Sequence, residues 1–177
     1  TGKPKPLWVE KQRMLNSARI TCDFLGLKAG DTALLCMPLD YIAGKMVAVR
    51  SIERNLRLLS VTPSGHPLSD NSLSEAGISN AEITFAAMVP LQVYNSLQVP
   101  EERERLRRIR HLIIGGGAVD EKLSATLQDF PNAVWSTYGM TETLSHIALR
   151  CLNGPDASEW YKPFDGVKVW LNEEGCL

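Results

Sequence analysis

Apolar and polar positions switch between two periods along the chain, and the switching predicts an α/β sheet. From Trp8-Val9 to Phe24, Met14, Leu15, Ala18, Ile20 and Cys22 offer the apolar contacts of a helix, with Leu25 beyond them and Gly26 as a stop. The apolar run Thr32–Cys36, closed by Pro38, reads as a buried strand. Met46, Val47, Val49 and Ile52 then mark a second helix over Ile42–Asn55, and Leu56–Val61 a second strand. Residues 62–72 are Pro-, Ser- and Asn-rich and read as a loop, after which Ser72 with Glu75 three residues on has the form of a helix N-cap. Ile83–Met88 predicts a strand, Pro90 opens a helix, and a charged helix follows. Leu112–Ile114, Asp120–Leu127 and Ala133–Trp135 continue the order strand, helix, strand. Ser145–Leu149 and Gly166–Leu171 alternate as exposed or edge strands do. The sum is a mostly parallel sheet with helices on both faces. Residues 1–110 form its central α/β part and residues 111–177 a second part.

Composition narrows the function. The 177 residues are 44% hydrophobic, enough for a sizeable core within one domain or part of a larger one. A net charge of -1 gives no long-range attraction for polyanions, so a nucleic-acid or membrane-surface role has no electrostatic support. The basic cluster Arg103, Arg105, Arg107, Arg108 and Arg110 is interleaved with Glu101, Glu102 and Glu104, which favours a solvated helix face laced with ion pairs over an anion site. Cysteines 22, 36, 151 and 176 show no CxxC pairing, and Cys36 sits in an apolar run as a small hydrophobe would; a reduced, cytoplasmic protein is expected. No apolar run approaches the roughly 18 residues of a membrane span.

Three stretches carry chemistry. Ser136-Thr137-Tyr138-Gly139-Met140-Thr141-Glu142 follows the apolar run 133–135 and places hydroxyl, aromatic and carboxylate groups on the turn expected there. The carboxyl end of a strand in an open parallel sheet is where ligands bind; a Tyr there can stack on a base, a Thr can bond phosphate and a Glu can hold Mg2+. Thr141 and Glu142 could equally cap a helix, with Glu favouring its dipole. Gly115-Gly116-Gly117-Ala118 stands just after Leu112–Ile114, where backbone must approach something closely or merely turn. Thr1-Gly2-Lys3-Pro4-Lys5 opens the chain.

In this order the three stretches resemble core motifs of the adenylate-forming acyl-CoA synthetase superfamily. The resemblance covers essentially the whole chain. It implies a ligase that uses ATP, Mg2+ and CoA on a small-molecule carboxylic acid, and a chain that is part of the large N-terminal domain. By resemblance Thr1, Gly2, Lys3 and Lys5 belong to the phosphate loop, and Gly115, Gly116, Gly117 and Ala118 line the adenine pocket. Thr137 then lies at the adenine edge, Tyr138 stacks on the base, Gly139 and Met140 complete the nucleotide wall, Thr141 binds phosphate and Glu142 coordinates Mg2+. The front half of the phosphate loop, the ribose-binding aspartate and the mobile C-terminal domain with its lysine are absent from these 177 residues, so the chain alone is expected to turn over no substrate and, with part of its sheet uncovered, to self-associate as a homo-oligomer. Pro38–Lys45 occupies the place of the segment that shapes the acyl pocket. Lys45 departs from the commoner pattern there: it is either a solvated surface lysine or a pocket cation facing an acid with a second carboxylate. His146, four residues past Glu142, reads as a structural histidine or a site residue.

Overall fold

The computed structural model describes residues 7–75 and 82–176. In chain order its elements are α1 (Lys11–Phe24), β1 (Thr32–Leu35), α2 (Ile42–Arg54), β2 (Arg57–Ser60), α3 (Asn71–Glu75), β3 (Phe85–Met88), α4 (Pro90–Gln98), α5 (Pro100–Arg108), β4 (His111–Ile114), α6 (Glu121–Leu127), β5 (Ala133–Gly139), β6 (His146–Cys151) and β7 (Lys162–Pro163). The strands form one sheet in the order β2-β1-β3-β4-β5-β6-β7. It is parallel from β2 to β5 and antiparallel across β5, β6 and β7.

This order reverses at β1. The chain steps outward from β1 through α2 to β2, then returns to the other side of β1 and proceeds through β3, β4 and β5. Right-handed crossovers in both directions put the connecting helices on opposite faces of the sheet. β3 is buried along its length and β1 at all but its first residue, as strands covered on both faces must be. Leu34, Phe85, Leu112, Ile114 and Val134 fill the core between the layers. α2 lies unusually close to the chain leaving β1, because a Cβ on Gly44 would stand 2.8 Å from the Met37 carbonyl oxygen. α1 lies beside α2, joined by the ion pairs Arg19–Glu53 and Arg54–Asp23.

Several boundaries differ from the expected ones, each for a physical reason. α1 starts at Lys11 rather than Trp8: Trp8 is 94% exposed and has no apolar face to join. α3 is preceded by Asp70, whose carboxylate accepts from the Ser72 backbone N–H at 2.9 Å, so Asp70 and not Ser72 satisfies the first turn. β5 runs on to Gly139, well past Trp135, because β6 pairs with it antiparallel and extends the ladder through Thr137 and Tyr138. Residues 166–171 form no strand: Val169, Trp170 and Leu171 are exposed, so alternation there met no covering layer. The short β7 edges the sheet instead.

α5 departs most from its expectation. Its surface carries arginines as predicted, yet Glu102 is only 1% exposed. One oxygen accepts from Ser69 Oγ at 2.6 Å and lies 2.8 Å from His66 Nδ1, while the other accepts from Ser96 Oγ at 2.8 Å. Burial would raise this carboxyl, but the hydrogen bonds from Ser69, Ser96 and His66 overcome it and hold the group below the usual range. Glu102 thereby joins α5 to α4 and to the 3-10 turn Pro67–Ser69.

Because the folded pKa of Glu102 is depressed, its stabilisation is complete above the ordinary glutamate value of about 4.3 and fades as pH falls through the lower folded value. Glu102→Ala is expected to cost about 2–4 kcal/mol at pH 7 through orphaned buried hydroxyls. Urea unfolding at pH 7 and at pH 3 checks this: the gap between wild type and variant should be smaller at pH 3.

Candidate active site

The carboxyl ends of β1, β3, β4 and β5 open into a cleft of about 240 Å3 at the point where the strand order reverses. Each element contributes a different kind of wall. Met37 follows β1, while Ile42, Ala43, Met46 and Arg50 come from α2 and make one side mainly apolar. Gly115 and Gly116 follow β4 and leave backbone exposed to the cleft. Thr137 and Gly139 come from β5, and Met140, Thr141, Leu144, Ser145 and His146 from the connection to β6 and its first residue.

That connection is tightly pinned. The Met140 backbone N–H donates to Thr143 Oγ1 at 3.0 Å, and the Leu144 N–H to the Thr141 carbonyl at 2.9 Å. Thr143 Oγ1 can give its proton to the Ser145 carbonyl at 2.7 Å. Residues 141–143 form a single 3-10 turn rather than the start of a long helix, so the capping alternative for Thr141 and Glu142 is confined to that turn. Leu144, buried in the cleft wall, holds φ at 67°, a costly conformation for a branched side chain. At Gly139 the β5–β6 register shifts, and a Cβ would lie 2.5 Å from His146 Cα; only glycine lets the two strands approach there.

The structure brings some of the sequence-predicted residues together and leaves others outside the cleft. Gly115, Gly116, Thr137, Gly139, Met140 and Thr141 line the cleft. Gly117 and Ala118 are exposed just beyond it, and Glu142 is exposed one residue past Thr141. Tyr138, on the opposite side of β5 from Thr137, has its ring 5.9 Å from that of Tyr161 and is partly exposed. Thr1, Gly2, Lys3 and Lys5 lie outside the described residues. Lys45 is not in the cleft: it is exposed and its ammonium donates to the Asp40 carbonyl at 3.0 Å. Helical geometry explains why. Adjacent residues are separated by about 100° around a helix, so the face that presents Met46 and Arg50 to the cleft turns Lys45 away.

Arg50 is the residue that sequence reading missed. It was hidden among Met46, Val47, Val49 and Ile52, and a charge amid apolar residues reads as surface. In fact Ile52 is 77% exposed, and Arg50 is 2% exposed. Spacing could have found it: residues 46, 47, 50 and 51 form the buried stripe of α2. Its guanidinium donates to Ser145 Oγ at 2.6 Å, and its Nε has no partner. Burial lowers its pKa to about 10, which leaves it charged at neutral pH. No carboxylate among the described residues pairs with it.

Two other buried groups are held neutral. His146 is 8% exposed, and burial, then the Arg50 charge, hold it well below the ordinary histidine range. Burial also pushes the Cys36 thiol up to about 12, and Cys36 Sγ donates to the Ala87 carbonyl, so it acts as an unreactive small hydrophobe. All four cysteines are free. Among the described residues no helix is long and apolar enough to cross a membrane.

A cleft at the switch point of an open sheet, with exposed backbone on one wall and threonine hydroxyls on another, is where α/β proteins of this architecture bind their ligands. The family model described as AMP-binding enzyme matches residues 1–174, and the chain belongs to that family. Among curated proteins it is similar to the 2-succinylbenzoate–CoA ligases of Bacillus cereus (strain AH820) and Bacillus anthracis (strain A0248), each 29% identical over 147 residues. Those matches cover 83% of this chain and 30% of each relative, so the chain spans about a third of their length. Among solved structures, the acyl-CoA synthetase (AMP-forming)/AMP-acid ligase II-like protein from Dyadobacter fermentans DSM 18053 superposes with a TM-score of 0.87 at 37% identity, over 98% of this chain and 47% of that one. The O-succinylbenzoate Coenzyme A Synthetase from Bacillus subtilis, solved in complex with ATP and magnesium ion, gives 0.75 at 24% identity over 99% of this chain and 36% of that one, a likeness of fold.

The donor set here fits a magnesium nucleotide. Mg2+ takes one or two carboxylates and completes its shell with phosphate oxygens and water. Glu142, exposed beside the lining residue Thr141, is a carboxylate of that kind, and no cluster of three His, Cys, Asp or Glu able to form a self-sufficient metal site occurs among the described residues.

Gly139→Ala should force β5 and the start of β6 apart and disturb Thr141 and Ser145 together. We expect a lower melting temperature and weaker nucleotide binding in the same variant. Calorimetry showing wild-type values for both would remove the close-approach argument.

Proposed function

We propose that the whole protein is an AMP-forming acid–CoA ligase that converts o-succinylbenzoate to o-succinylbenzoyl-CoA in menaquinone biosynthesis. Arg50 is the observation that supports this most. A buried guanidinium without a carboxylate partner is costly unless an anion completes it, and this one stands on the cleft wall. An acid with two carboxylates supplies one to be activated and a second, still ionised, for Arg50. Ile42, Met37 and Met46 offer apolar contact for an aromatic ring beside it. The curated relatives with this substrate in their names agree with the reading.

In this reading the reacting carboxylate oxygen attacks the α-phosphorus of ATP, the bond to pyrophosphate breaks, and acyl-AMP forms. The CoA thiol then attacks the acyl carbon, AMP leaves with the bonding pair and the thiol proton passes to solvent. Thr141 hydrogen-bonds phosphate, and Glu142 would hold the Mg2+, which would supply positive charge to the phosphate oxygens. Gly115, Gly116 and Thr137 bound the adenine side. Catalysis rests on positioning and charge neutralisation by these groups.

In the full-length enzyme, Arg50→Ala should raise the KM for o-succinylbenzoate about tenfold to a hundredfold, the equivalent of a lost charge-assisted hydrogen bond, with KM for ATP within about twofold. Lys45→Ala should change neither. An unaltered acid KM in Arg50→Ala, or equal turnover of a monocarboxylic analogue, would overturn the substrate assignment. Separately, Glu142→Gln should abolish Mg2+-dependent pyrophosphate release at unchanged thermal stability; wild-type release would reduce Glu142 to a turn residue.

A further inference from the structure

Behind Arg50 lies a hydrogen-bonded chain that leads away from the cleft. Ser145 Oγ, which accepts from the Arg50 guanidinium, is 3.3 Å from His146 Nδ1. His146 Nε2 is 3.0 Å from Thr21 Oγ1, and Thr21 Oγ1 donates to the Ser17 carbonyl at 3.2 Å. Thr21 is fully buried in α1, a helix that lines no part of the cleft.

Donor chemistry gives this chain one direction. A guanidinium can only donate, so Ser145 accepts from it and has its own proton free for His146 Nδ1. Nδ1 is then an acceptor, Nε2 carries the hydrogen, and Thr21 accepts from Nε2 while giving its proton to Ser17. Every hydrogen is used once. The other tautomer would need the Thr21 proton in two places, at His146 and at Ser17, and would leave the Ser145 proton without a partner in the chain. Burial and the neighbouring guanidinium keep the imidazole neutral, as an accepting Nδ1 requires.

We propose that Thr21 and His146 are positioning residues for the acid substrate: through Ser145 they hold the Arg50 guanidinium in the orientation that receives the carboxylate not being activated. Anion specificity is then set partly from α1. This rests on the reading that Arg50 meets a substrate carboxylate. The chain also explains why Ser145 follows the strained Leu144, since the turn must deliver the hydroxyl to Arg50 and the carbonyl to Thr143 at once.

The test uses full-length enzyme. Thr21→Val keeps the shape and removes the hydroxyl, and should raise KM for o-succinylbenzoate about fivefold to tenfold, in line with one lost buried hydrogen bond. KM for ATP, and both constants for a monocarboxylic analogue, should stay within about twofold of wild type. Thr21→Ser should restore the wild-type acid KM. A merely structural Thr21 would instead lower the active fraction for every acid equally, and that result overturns the proposal. An unchanged acid KM in Thr21→Val beside a raised one in Arg50→Ala overturns the relay and leaves the substrate reading intact; no change in either variant removes both. Nitrogen-15 spectra of the wild-type histidines provide a check independent of any variant: His146 protonated on Nε2 is expected, and protonation on Nδ1 overturns the proposal.

Discussion

A guanidinium taken out of water is the constraint around which the cleft walls from α2 and the β5–β6 connection are organised. Arg50 reaches its place because α2 approaches the chain leaving β1 without a side chain at Gly44, and it stays hydrogen-bonded because Ser145 arrives from the β5–β6 connection, 95 residues further on. That single contact joins the apolar wall from α2 to the turn carrying Thr141 and Glu142. Displacing either partner exposes a buried charge, so the two walls are held in register by the cost of separating them.

The sheet serves the same end by changing direction after β5. Parallel strands release their chains at the carboxyl edge and send them into helices. β5 does so differently: its connection to β6 is short, antiparallel and bulged at Gly139. The turn between them therefore stays at the cleft edge instead of departing as a long helix. Thr137, Thr141 and Ser145 face one cavity because the β5–β6 ladder fixes both ends of the turn that follows Thr137. The left-handed backbone at Leu144 is tolerated in that tight frame, with its side chain buried against the cleft.

Stability and site geometry are drawn from separate networks. Glu102 ties α4, α5 and the turn at Pro67–Ser69 with hydroxyl and imidazole donors, on elements that contribute no lining residue to the cleft. Arg50, Ser145, His146 and Thr21 form the second network, spanning α2, β6 and α1. Each uses short-range hydrogen bonds that join separate elements; the first satisfies the buried Glu102 carboxylate, whereas the second gives Arg50 one hydroxyl partner and leaves its Nε unpaired. They share no residue, so a change in one leaves the other's partners in place.

The sequence by itself determined the α/β class, the order of nearly all elements and the nucleotide motifs. Apolar period and Gly, Pro and hydroxyl punctuation are local, and local physics writes them within a few residues of where they act. Gly115, Gly116, Thr137 and Thr141, which line the cleft, stood out in the sequence for that reason. Tertiary structure alone decided what depends on a second layer. The Gly166–Leu171 alternation found no face to cover it and formed no strand, whereas β5 gained four residues from a partner strand. Charge at Lys45, Arg50 and Glu102 looks the same in one dimension, yet helix phase and neighbours left Lys45 in water and buried the other two. A buried charge is specified by the groups that meet it, and here Ser145 reaches Arg50 from 95 residues away and Ser69 reaches Glu102 from 33.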